Sequence, residues 1–152
     1  MFGKALADWQ MEFRETNDLP LDKPIIMVGH QPAFFHPGIL AKFIAASRLA
    51  RQVDGVVVFL VVDHHIGDVG AIETCIQSDH LQIERKQIWK VDSIIALKDQ
   101  SRAEILDTFE PFSSALRNAS GSNVAMQFGN ALVALMKPYA QVDYVVPASA
   151  LL

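Results

Sequence analysis

Cysteine is almost absent: Cys75 is the only one. An internal disulfide is therefore excluded, and a reducing, cytoplasmic setting is expected. No long hydrophobic run is present. The longest, Val56 to Val62, falls far short of the ~20 residues that a membrane-crossing helix needs. The opening residues carry Lys4 and Asp8 where the apolar part of a secretion signal would lie, so no signal is read there. A basic tract is missing too. Lys and Arg total 13 against 17 Asp and Glu, a net charge of −4, which argues against a general binder of nucleic acid or of anionic membranes. Repeats, low-complexity tracts and linkers are also lacking, so residues 1–152 are read as a single domain. A hydrophobic fraction of 51% with 20% charged residues places that domain in the globular class.

The stretch that organises the rest runs from Pro24 to Val62. An apolar strand, Pro24 to Val28, leads into a polar loop, Gly29-His30-Gln31-Pro32-Ala33-Phe34-Phe35-His36-Pro37-Gly38. A helix should open at Pro37 or Gly38, because proline suits a first helical turn. Ile39, Phe43, Ala46, Ala50 and Val53 share one face at helical spacing and are expected to be buried, with Arg48, Arg51 and Gln52 in water. Asp54-Gly55 ends the helix. Val56 to Val62 follows as a strand apolar on both faces, as a central parallel strand is. Strand, helix and strand with short links form a βαβ unit, which makes the two strands parallel and the crossover right-handed.

Elsewhere, Leu6, Trp9 and Phe13 predict a helix over residues 5–17. Partial alternation predicts a hairpin of residues 71–77 and 81–89, with His80 solvated at its turn. Ser101, with Glu104 three residues on, reads as a capping box opening a helix that continues to about Leu116. A further helix is expected from Val124 to about Tyr139, and a final strand from Asp143. The fold class is thus α/β: a three-layer, Rossmann-like domain with a mostly parallel sheet and an appended β-hairpin. The apolar terminus, residues 143–152, is expected to pack on a further C-terminal domain of a longer protein or to mediate self-association.

Chemistry concentrates at one place. Ligands of open parallel sheets bind outside the carboxyl ends of the strands, and His30 and Asp63-His64-His65 follow two such ends. His36 precedes the helix between them. A helix N-terminus presents backbone N–H groups and about half a positive charge to an anion. His30, His36, Asp63 and His64 are therefore the candidate catalytic residues, with Gly29, Gln31, Gly38, Ile39, Leu40 and His65 as candidate ligand contacts. The bland alternatives are loop histidines bonded to backbone, and an Asp63 that caps a turn.

His36-Pro37-Gly38-Ile39 at the head of a helix resembles the HIGH-type signature of nucleotidyltransferases and class I aminoacyl-tRNA synthetases, with Ile39 in place of the last His. The block Gly29-His30-Gln31, then Pro37-Gly38, then a strand ending in Asp63-His64, more closely resembles the N-terminal Rossmann-like domain of the cysteine-adding enzyme of bacillithiol synthesis. That resemblance spans about residues 24–90. It implies nucleotide or phosphorylated-ligand binding in support of ligase or nucleotidyl-transfer chemistry, with ATP or another nucleotide as ligand. Asp63-His64-His65 after a strand is also similar to the name-giving motif of the DHH phosphoesterases. That likeness implies a metal-dependent hydrolase, with His30, Asp63 and His64 as ligands of a divalent metal. A non-catalytic interaction module is the third reading.

Overall fold

The structure is a computed structural model and describes residues 5–33, 37–67, 69–77, 80–106 and 109–151. In chain order the elements are α1 (Leu6–Thr16), β1 (Ile25–His30), α2 (Pro37–Gln52), β2 (Val56–Val61), β3 (Ala71–Gln77), β4 (Leu81–Gln87), β5 (Trp89–Lys90), β6 (Glu104–Ile105), α3 (Phe112–Asn118), α4 (Val124–Met136) and β7 (Tyr144–Pro147). Short 3₁₀ turns lie at Leu97–Asp99 and Ala148–Leu151.

The chain is a mixed α/β protein built on a three-stranded parallel sheet in the order β1-β2-β7. β1 and β2 pair from Ile25↔Val56 to His30↔Val61, and β2 and β7 from Val58↔Tyr144 to Val61↔Pro147. Pro37 is the first residue of α2, where its missing N–H costs nothing. The helix stops before Asp54, which takes a positive φ of 51°. Gly55 follows against the start of β1, where a Cβ would lie 2.6 Å from the Pro24 carbonyl oxygen. Only glycine fits that turn.

Each face of β2 belongs to a different cluster. Val57, Phe59 and Val61 pack with α2 and α4, and the Phe43 ring meets Phe59 edge-on at 5.0 Å. Gly129 lets α4 approach this face: a Cβ there would lie 2.7 Å from Val61 Cγ2 and 3.0 Å from Val145 Cγ1. Two crossovers of one hand, stepping in one direction across a sheet, place both helices on the same side. On the other face Val58 and Val146 pack with Phe13 of α1 and with Leu19. Phe43, Ala46 and Ala50 are buried as the helical spacing requires, but Val53 is 41% exposed. It stands beyond the last helical residue, where the pattern no longer governs direction.

The βαβ unit, the first helix and the last strand stand where the sequence puts them, and so does the hairpin expected over 71–77 and 81–89, except that its second strand ends at Gln87 and Trp89 belongs to β5. The helix expected over 101–116 is not where the sequence puts it. Residues Glu104–Ile105 instead form β6, antiparallel to Trp89–Lys90, and helix appears only at Phe112–Asn118. Pro111 is the physical reason. Inside a helix it would delete one hydrogen bond and clash with the preceding turn, so the helix begins just after it. Gln127, 1% exposed, then ties these parts together. Its Nε2 donates to Leu116 O at 2.9 Å and its Oε1 accepts from Ala103 N at 3.1 Å. No described helix is long and apolar enough to cross a membrane.

Candidate functional site

Three parallel strands end at one edge. Because His30 pairs with Val61, and Val62 N donates to His30 O at 3.0 Å, the residues after β1 and those after β2 leave the sheet side by side. His30 and His65 are half-buried, while Gly29, Gln31 and His64 are exposed. The first turn of α2, with Gly38, Ile39 and Leu40, follows the β1 loop, and helix geometry directs its leading N–H groups out of the helix end. His36, with Phe34 and Phe35, lies outside the described residues.

His30 Nδ1 donates to the Gln31 carbonyl at 2.8 Å. A carbonyl only accepts, so the ring carries a proton on Nδ1, and a neutral ring keeps its lone pair on Nε2. His64 stands 61% exposed with Nδ1 3.8 Å from Asp63 Oδ1. That distance exceeds a hydrogen bond and is an ion pair only when the imidazole is protonated.

Asp63 has a different character. It is 1% exposed, and both carboxylate oxygens are engaged by Ser149. The Ser149 backbone N donates to Oδ1 at 2.9 Å and its hydroxyl donates to Oδ2 at 2.5 Å. The carboxylate thus fastens the chain just after β7 to the chain just after β2, at the start of the 3₁₀ turn. The short spacing is that of a charge-assisted bond.

A second clamp comes from the 97–99 turn. Lys98 N donates to Asp63 O at 2.9 Å and Leu97 N to His65 O at 3.1 Å. Gln100 orders the loop before it, accepting from Asp92 N and donating to the Asp92 and Ile95 carbonyls, each at 2.8 Å. The Lys98 ammonium is held above the ordinary lysine range, first by its hydrogen bond to Asp99 at 2.7 Å, with Asp63 adding attraction. The Lys98 charge is thus paired with a neighbouring carboxylate at this edge.

Of the residues singled out by sequence, the structure brings His30, Gln31, Asp63, His64 and His65 to neighbouring strand ends. It adds Ser149 and Lys98, which sequence reasoning missed. One signal was available for Ser149: a third parallel strand must end at the same edge as its neighbours. Gly29 is not required by the fold, since a Cβ there would meet only Leu60 O at 3.8 Å. Among the described residues no group of three or more His, Cys, Asp or Glu side chains is arranged to hold a metal ion. No protein-family model, curated protein or solved structure matches this chain.

Proposed function

We propose that the chain is a three-layer, Rossmann-like domain whose carboxyl edge binds a nucleotide or similar phosphorylated small molecule, in support of ligase or nucleotidyl-transfer chemistry. The observation that carries this reading is the parallel register His30↔Val61, which sets two histidine-bearing strand ends beside each other. Open parallel sheets take their ligands outside the carboxyl ends of their strands. The phosphate would lie against the N–H groups of residues 38–40. His36, and His30 when its ring carries a second proton on Nε2, would donate to its oxygens as charge builds there, with the exposed His64 as a further donor from the β2 side.

Asp63 enters this reading as a positioning residue, because Ser149 occupies both of its oxygens. The same engagement, with Asp63 only 1% exposed, argues against the DHH-like hydrolase reading, which needs that carboxylate open to a metal. A non-catalytic role is separated from the preferred one by ligand response. A thermal melt against ATP, ADP and inorganic phosphate tests the proposal. Ligand at 100 times its Kd adds about 2.7 kcal/mol, a rise of several degrees for a chain of this size. His36→Ala should remove most of that rise, and an undiminished rise in this variant would count against the assigned site.

A further inference from the structure

β1 is an edge strand, and nothing in its sequence guards the edge. Val62 N donates to His30 O, and Val56 N to Pro24 O, so Pro24, Ile26, Val28 and His30 direct their peptide groups toward β2. Strand alternation then turns the N–H and C=O groups of Ile25, Met27 and Gly29 outward. Those groups have no protein partner among the described residues. Edge strands are ordinarily blunted by charge, proline or a bulge. From Ile25 to Gly29 this one carries no charge and no proline, and its pairing with β2 is unbroken.

A groove of about 410 Å³ runs between this edge and α2, lined by Met27, Val28, Ala45 and Leu49, with Lys42 at its side. Met27 is 42% and Leu49 45% exposed. Lys42 makes no ion pair with any described residue, and α2 has three cations, Lys42, Arg48 and Arg51, without one acidic residue, in a chain whose net charge is −4. Gly29, which the fold does not need, leaves the end of the edge open to a neighbouring backbone.

We propose that the free edge of β1 takes an extended segment of a partner polypeptide as a fourth strand. Its alternate residues are apolar, to fill the groove over Ala45 and Leu49, and an acidic residue sits within reach of Lys42. Outward peptide groups supply affinity and the groove supplies selectivity, as in strand addition generally. A second copy fits less well. Pairing β1 with β1 about a twofold axis would set one cation-only helix beside another with no acid between them. The inference concerns the side of the sheet and is independent of the ligand proposed at its carboxyl edge.

The probe is a short synthetic peptide in which valine alternates with glutamate and threonine, added to the full chain. Its binding is followed by fluorescence anisotropy and by residue-resolved amide exchange. The amides of Ile25, Met27 and Gly29 should gain protection, while those of Ile26 and Val28, already bonded to β2, change little. Lys42→Glu should weaken the acidic peptide by about three- to fivefold, the size of an exposed ion pair, and favour a peptide with lysine in place of glutamate. Met27→Pro, which keeps the β1–β2 hydrogen bonds but deletes an outward donor together with the Met27 side chain, should abolish binding, whereas Met27→Ala, which keeps the donor, should only weaken it. Protection spread over both amide sets, equal binding of acidic and basic peptides, or no binding at all would each overturn the proposal. So would a concentration-dependent dimer that hides the same amides.

Discussion

Asp63 and Gln127, like Ser47 with Gln141 N, are buried polar side chains that tie distant parts of the chain together. Removing the Asp63 carboxylate leaves the Ser149 N–H and hydroxyl without an acceptor. Asp63→Ala is expected to cost about 2 kcal/mol or more, and Ser149→Ala less. In a double-mutant cycle read by chemical denaturation the two should couple by on the order of 1 kcal/mol or more; additive losses would show that the contact carries no stability. Gln127→Leu keeps the volume and strands Leu116 O and Ala103 N, for an expected loss of about 2 kcal/mol. These pairings were not legible in the sequence. Asp63 and Ser149 lie 86 positions apart, and no local pattern links them. The pair His30 and His64 was legible, because each follows an apolar strand and the βαβ rule makes those strands neighbours.

At the scale of elements, the close seat of α4 on the sheet sets a test of opposing effects. Alanine at position 129 would favour the helix by roughly 1 kcal/mol, yet its Cβ would fall 2.7 Å from Val61 Cγ2 in a packed core. Overpacking of that kind costs about 1–3 kcal/mol, so Gly129→Ala should lower the melting temperature. Combining it with Val61→Ala should return part of the loss beyond what the single changes predict. The β3–β4 hairpin offers a second test. Cys75, Ile76, Ile83 and Arg85 are exposed, and a two-stranded ribbon with little buried area is marginal by itself. Its amides should exchange faster than those of β2; equal rates would mean the hairpin is fastened more firmly than its exposure implies. Element types read well from sequence where apolar spacing was long and unbroken, as in α2 and β2. They failed at 101–116, where Pro111 bars the helix that the Ser101–Glu104 capping-box spacing suggests and where two-residue strands leave no periodic trace.

For the molecule as a whole, the parallel three-stranded sheet brings His30 and Asp63-His64-His65 to neighbouring strand ends and leaves an unguarded side along β1. The first feature follows from the sequence rules for βαβ units. The second appears only once β7 is seen to pair on the far side of β2, which makes β1 an edge. The account rests on the first. Titration of the isotope-labelled chain with ATP, followed residue by residue through its amide NMR shifts, tests it most directly. The prediction is a saturable set of changes concentrated at residues 29–31, 38–40 and 63–65, greatly weakened in His64→Ala while that variant's unliganded spectrum keeps the wild-type fold. Shifts confined to other surfaces, or none at saturating nucleotide, would contradict it.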